Sequence, residues 1–224
     1  TIDIETDSTG GFPDIQTADK QITAITLRQG DKSVVMGYFP YEPESDNVTY
    51  IQCRDEQFLL ETFIKCWRSK DFHPDIITGW NCEMFDMPYM INRIRRILGD
   101  ESAKRLSPWG ILSEREVEFI GKTITIPIIV GITILDYLQL YKKFSFTMQE
   151  SYKLDHIAFA ELGERKIENP GSSFKDFYTN YWQTFVEYNV RDVELVDKID
   201  AKMKLMDLAL TLAYAAKVNY EDVF

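Results

Sequence analysis

Cysteine is scarce: the 224-residue chain has three, Cys53, Cys66 and Cys82. An odd, dispersed set without a C-x-x-C pair or a His/Cys cluster excludes a disulfide framework and a thiolate zinc site, and it fits thiols kept reduced in a cytoplasm. Histidine is scarcer, with two residues. His73 reads as a loop residue before Pro74, and His156 as a structural residue on an apolar-patterned helix. Positive charge is also short, 25 Lys and Arg against 36 Asp and Glu, for a net charge of −11. That deficit alone argues against phosphate contacts. Two considerations offset it: acid gathered around a metal ion has its local charge inverted, and basic surface can lie on other domains. No long apolar run exists. The longest stretch, Ile124 to Leu135, is interrupted by Pro127, Gly131 and threonines, so nothing reads as a membrane span. No signal peptide opens the chain. It begins without Met and runs directly into a strand-like motif, which reads as a piece of a longer protein.

Hydrophobic residues make up 45% and charged residues 27%, the composition of a globular domain. Strand patterns crowd the first third: Thr1–Thr6, Gln21–Leu27, Ser33–Phe39 after a turn at Gly30-Asp31, and Val48–Gln52. Asp55–Ser69 has apolar residues at helical spacing and acid in its first turn. Pro74–Trp80 reads as a buried strand. A helix is expected from about Pro88 to Leu98, ending at Gly99. Glu116–Thr133, rich in Thr and Ile with a turn at Gly121-Lys122, reads as a protruding hairpin. Ile132–Asp136 is strand-like, Tyr137–Phe144 and Tyr152–Leu162 are helical, Pro170–Ser173 is a loop, and Asn180 to Lys217 is helical with a break. This order predicts a mixed α/β layered fold.

Three segments carry candidate chemistry. Asp3 and Glu5 are two apart on a strand and share a face. Neighbouring carboxylates resist joint ionisation, and a divalent cation removes that cost. A bare Asp-x-Glu is more often simple polar alternation. Asp86 lies in the loop Asn81-Cys82-Glu83-Met84-Phe85-Asp86, just before Pro88 at a helix start, where an ordinary N-cap is the plain alternative. Tyr188 and Asp192 are four apart on a helix, hence on one face, where a phenol beside a carboxylate can hold a water.

Each segment is degenerate alone. In order, Asp3-Ile4-Glu5, Asn-x4-Asp-x-Pro-Tyr from Asn81 to Tyr89, and Tyr188-x3-Asp192 resemble the three exonuclease motifs of family B DNA polymerases, closest to those of T-even-type bacteriophages. Ile134-Leu135-Asp136-Tyr137, Leu140 to Phe144 and Ser151 to Asp155 fit the same family. The resemblance runs from about residue 1 to about residue 220. It implies a ribonuclease-H-like fold, a mixed five-stranded sheet flanked by helices with a protruding β-hairpin. The whole chain, 1–224, would be one 3′→5′ exonuclease domain, with the last helix, from about residue 200, leading toward a missing palm domain.

The resemblance also assigns residues. Asp3, Glu5, Asp86 and Asp192 would hold two divalent cations, and Tyr188 would orient the attacking water. Phe12 would stack on bases, Asn81 and Phe85 would shape the pocket of the terminal nucleotide, and Lys166 would lie near the metals. The hairpin would help the primer strand move between active sites. Oxygen ligands suit Mg²⁺ or Mn²⁺, and two ions about 4 Å apart would clamp the scissile phosphate. The partners implied are a single-stranded DNA 3′ end and the other polymerase domains, with no membrane. Related exonucleases place His five residues before the last Asp. Here position 187 is Glu and position 188 is Tyr, the tyrosine variant. Glu5-Thr6-Asp7-Ser8 mimics the Asp-Thr-Asp-Ser palm motif only superficially, so polymerisation is not expected of this chain. The competing readings are a stand-alone exonuclease and a non-catalytic DNA-binding or scaffold module of a polymerase.

Overall fold

The computed structural model describes residues 1–119 and 121–223. Ile120, within the expected hairpin, and Phe224 lie outside the described residues. Strands β1 (Ile2–Thr6), β2 (Ile22–Gln29), β3 (Lys32–Gly37) and β4 (Val48–Gln52) form one sheet in that order. The first two pairings are antiparallel and β3–β4 is parallel. The turn between β2 and β3 passes through Gly30, whose φ of 60° suits glycine. Along β1, Ile2, Ile4 and Thr6 are buried while Asp3 and Glu5 alternate to the other, partly exposed face. The β1–β2 register shifts between Glu5 and Thr6, a bulge beside the acidic pair.

Helix α1 (Glu56–Trp67) follows, with Asp55 capping it by accepting from Phe58 N. Leu59, Leu60, Phe63, Ile64 and Trp67 bury one face against Ile2, Ile4 and Ile25 in the largest apolar cluster. Strand β5 is only Ile76–Ile77, far shorter than the buried strand expected over Pro74–Trp80. The remaining backbone of that segment bonds elsewhere. Thr78 O accepts from Ile2 N at 2.9 Å, and Gly79 O accepts from Tyr137 N at 2.9 Å. Gly79 is required there, because a Cβ would lie 2.5 Å from Ile2 O. Helix α2 (Asp86–Leu98) starts two residues before Pro88, and α3 (Asp100–Lys104) follows, a short helix the sequence pattern does not reveal.

Strands β6 (Leu112–Phe119) and β7 (Lys122–Ile129) pair antiparallel, from Leu112↔Ile129 to Phe119↔Lys122. The pairing thus begins before Glu116 and ends before Thr133. Strand β8 (Thr133–Ile134) pairs parallel with β5. In place of one five-stranded sheet, the hydrogen bonds define a four-stranded sheet and this separate parallel pair. Helices α4 (Tyr137–Phe144), α5 (Leu154–Leu162) and α6 (Phe174–Asn180) come next. The long α7 (Trp182–Met203) and α8 (Leu205–Ala216) meet at Lys204, with a left-handed φ of 58°. A 3₁₀ turn over Tyr220–Val223 completes the described chain.

Helix α7 lies on the sheet. Phe185, Val186 and Val190 pack with Ala24 and Val35, and Arg28 Nε bonds Asp197 at 2.8 Å. On its other side α7 packs on α4 and α5 through Leu195, Val196 and Ile199. This placement faces Tyr188 and Asp192 toward the exposed side of β1. No described helix is long and apolar enough to cross a membrane.

Candidate active site

Asp3, Glu5 and Asp192 converge. Each presents a carboxylate oxygen within 4.8 Å of the other two, although Asp192 is almost 190 residues from Asp3 in the chain. The two strand acids alternate to one face of β1, and α7 delivers the third across that face. Asp86 borders the triad. It is not an N-cap: the residue before helix α2 is Phe85, which makes no side-chain cap bond. The Asp86 carboxylate instead accepts from Ile4 N at 3.0 Å, the peptide between Asp3 and Glu5.

The electrostatics follow from this crowding. Burial, then the charges of Asp86, Asp192 and Glu5, push the Asp3 carboxyl well up. Burial, then Asp192, raises Glu5 to about 8. Burial raises Asp86 to about 7 against the pull of Ile4 N–H, and Asp192 to about 6 against the pull of Lys166. Lys166 is the countercharge. Its ammonium pairs with Asp192 Oδ2 and lies 4.4 Å from the centre of the Tyr188 ring. Burial would lower the lysine, but Asp192, Tyr188 and Asp3 reverse this and hold it protonated. Burial also raises the Tyr188 phenol, so it stays neutral, with Phe177 packed edge-on at 5.7 Å. The other Asp192 oxygen, Oδ1, is buried without a hydrogen-bond partner. A buried acceptor in that state is costly, and an oxygen-only donor set suits a hard divalent cation. The residues therefore fit a metal ion.

The aromatic residues expected to meet bases form a row. Phe12, 82% exposed, lies 5.3 Å from Phe85, which stacks on Tyr89 at 5.5 Å. The Tyr89 hydroxyl in turn donates to Lys20 O and accepts from Lys20 N. Asn81 has a left-handed φ of 66° and uses its backbone, with N donating to Asp136 and O accepting from Phe85 N.

Three further residues organise the site. Asp136, buried, accepts from the backbone N–H of Asn81, Glu83 and Leu138, which locks the loop leading to Asp86. Asn189, fully buried on α7, donates to Asp3 Oδ2 at 2.5 Å and accepts from the Thr26 hydroxyl. Asp136 and Asn189 sit in stretches that carry the resemblance, yet nothing local marks their roles. Thr26 reads as an ordinary strand former, and only tertiary contact reveals it.

The description of DNA polymerase family B, exonuclease domain, matches residues 1–157. The chain belongs to this family. The match stops short of Lys166, Tyr188 and Asp192, so the contribution of α7 rests on the geometry above. The chain is 41% identical over 179 residues to the DNA-directed DNA polymerase of Escherichia phage RB69 and 39% over 178 residues to that of Enterobacteria phage T4, covering 80% of this chain in each case. A more distant relative, the DNA polymerase delta catalytic subunit of Caenorhabditis elegans, is 28% identical over 175 residues, 71% of this chain and 16% of its own length. The matched region spans about 20% of the length of each phage polymerase.

Proposed function

We propose that this chain is a proofreading 3′→5′ exonuclease. It hydrolyses the 3′-terminal phosphodiester of single-stranded or frayed primer DNA, releases 5′-mononucleotides, and serves as one domain of a DNA-directed DNA polymerase. The observation that carries this reading is the meeting of Asp3, Glu5 and Asp192 within 4.8 Å, with Asp86 at their edge, in a member of this family.

Asp3, Glu5, Asp86 and Asp192 would hold two divalent cations, Mg²⁺ or Mn²⁺. When bound, these supply charge neutralisation at the scissile phosphate and acidity for the attacking water. The protein's own groups do the rest. Tyr188, neutral across the physiological range, orients a water from its hydroxyl beside Asp192. Lys166 keeps a fixed positive charge next to Asp192 and faces the phosphate. Phe12 and Phe85 offer ring faces to successive bases, a contact worth about 1–3 kcal/mol per base and indifferent to sequence. Asn81 shapes the pocket of the terminal nucleotide with Phe85. A base must leave its duplex to reach these rings, which selects frayed ends.

The fold behind this site is proposed to be ribonuclease-H-like. Treating the Ile2 N to Thr78 O hydrogen bond as a join between β1 and β5 gives a five-stranded sheet, β3-β2-β1-β5-β8, with β4 as an added edge. The β6–β7 pair would be the hairpin that guides the primer strand between active sites, and the last helix would lead toward the polymerase palm.

A 5′-labelled single-stranded oligonucleotide, incubated with Mg²⁺ or Mn²⁺, tests the activity. A ladder shortening from the 3′ end, abolished by EDTA and by Asp3→Ala with Glu5→Ala, is the expected result. A ladder of equal intensity from the double variant would sink the site. Binding of DNA without cleavage under every metal condition would favour the non-catalytic module.

A further inference from the structure

The inner face of α7 is apolar around Asn189: Phe185, Val186, Val190 and Val193 are all buried. An amide in that row costs desolvation unless both of its ends are bonded. Here both ends are bonded, and to different strands. The Thr26 hydroxyl on β2 donates to Asn189 Oδ1, and Asn189 Nδ2 donates to Asp3 Oδ2 on β1. Thr26 and Asn189 are completely buried, so water cannot substitute for either partner.

We propose that Asn189 is a positioning residue for Asp3, and that Thr26 fixes the Asn189 amide in the orientation this requires. The proposal rests on the reading of Asp3 as a metal ligand. Once it holds a cation, the Asp3 carboxylate is ionised and only accepts. The amide must therefore present its NH₂ to Asp3 and its carbonyl oxygen to Thr26, whose hydroxyl then donates. The bond occupies one Asp3 oxygen and halts rotation of the carboxylate. The second oxygen remains for a cation shared with Glu5 and Asp192. The relay also ties the spacing of α7 to β1 to the ligand itself, because the amide that holds Asp3 lies three residues before Asp192 on the same helix.

Calorimetric titration of Mn²⁺ into the full chain tests this, alongside the melting temperature of the metal-free protein. Partners that orient a ligand typically contribute about 10–100-fold to metal affinity. Asn189→Ala should weaken Mn²⁺ binding by about tenfold or more on that scale. Thr26→Val should weaken it several-fold, and Thr26→Ser should restore it. The double variant Thr26→Val with Asn189→Ala should bind no more weakly than Asn189→Ala alone, as expected for two links of one relay. At saturating Mn²⁺ the variants should recover most of their kcat with KM for DNA unchanged. Wild-type affinity in Asn189→Ala and Thr26→Val, with only the metal-free melting temperature lowered, would show a packing role and overturn the proposal. Additive losses in the double variant would overturn the relay. Should Asn189→Ala fail to fold, the Thr26→Val and Thr26→Ser pair decides alone. A wild-type chain that takes up no Mn²⁺ refutes the metal reading itself, and the inference with it.

Discussion

Two regions of this protein bury carboxylates, and they do it in opposite ways. Asp136 accepts three backbone N–H groups and has no acid bonded to it. Its carboxyl is raised by burial to about 6, with those three donors holding it down. The cluster of Asp3, Glu5, Asp86 and Asp192 has few donors and many like charges. Its carboxyls are pushed to about 6, 7 and 8 in Asp192, Asp86 and Glu5, with Asp3 also well up. A buried acid surrounded by N–H groups holds a loop. Buried and half-buried acids that face one another, one with an unbonded oxygen, hold something else. The contrast separates architecture from chemistry without reference to sequence motifs.

Removing each kind of acid should therefore shift stability in opposite directions. Asp136→Ala leaves one buried and two half-buried N–H groups without their acceptor and should cost about 3 kcal/mol, read as a lowered denaturation midpoint. Asp3→Asn removes a repelled charge and should instead raise metal-free stability at pH 8, by about 1 kcal/mol, with the gain fading near pH 5. A destabilised Asp3→Asn at pH 8 would erase the distinction between the two regions.

Between those two magnitudes lies the response to pH. Each cluster carboxyl is higher in the folded protein than in the unfolded chain, where carboxylates titrate near 4. The folded state then binds more protons than the unfolded state between those values, so stability falls as pH rises. Metal-free protein should lose stability progressively from about pH 4 up to the Glu5 value of about 8. Saturating Mn²⁺ should flatten that slope, because the cation replaces the protons, and should add about 2.7 kcal/mol at a hundredfold excess over Kd. A slope unchanged by metal would detach the cluster from cation binding.

Tyr188→Phe is the finest probe. It keeps the ring against Lys166 and Phe177 and removes only the hydroxyl. Hydrolysis should slow about tenfold, the loss expected for one hydrogen bond between neutral groups, with single-stranded DNA affinity unchanged by fluorescence anisotropy. An equal loss of affinity would make the tyrosine a packing residue.

Much of this was legible in the chain itself. Val48–Gln52 and Tyr137–Phe144 fall where periodicity places them, because each has a clear pattern between clear breakers. Pro74–Trp80 reads as a strand throughout, yet only Ile76–Ile77 joins a ladder, since Thr78 and Gly79 spend their carbonyls on β1 and α4. Helix α6 falls between the loop Pro170–Ser173 and the helical pattern from Asn180, a stretch to which the sequence assigns no element, because seven residues give no periodicity. Its one signal is Ser173, whose hydroxyl accepts from Asp176 N. At the site, the strand pair Asp3 and Glu5 and the helix pair Tyr188 and Asp192 follow from spacing. The meeting of the two pairs, and the Thr26–Asn189–Asp3 relay, depend on partners more than 160 residues apart. No local pattern encodes contacts of that range.

The bond from Ile4 N to Asp86 has a consequence for how this domain can change length. One peptide unit, flanked by Asp3 and Glu5, gauges the distance to Asp86. A single residue inserted between Ile2 and Asp3, with the pairing of Ile2 kept, would turn both acids toward the core and carry the gauge away from its target, three failures from one codon. Between β3 and β4 the exposed stretch 43–46 lies between two tied ends, Glu42 bonded to Gln183 on α7 and Asn47 bonded to Ser33, and doubling the length of the loop there would cost only about 0.6 kcal/mol. Affinity tags, fluorophores and natural insertions belong in that loop, while β1 is held to its present count of residues.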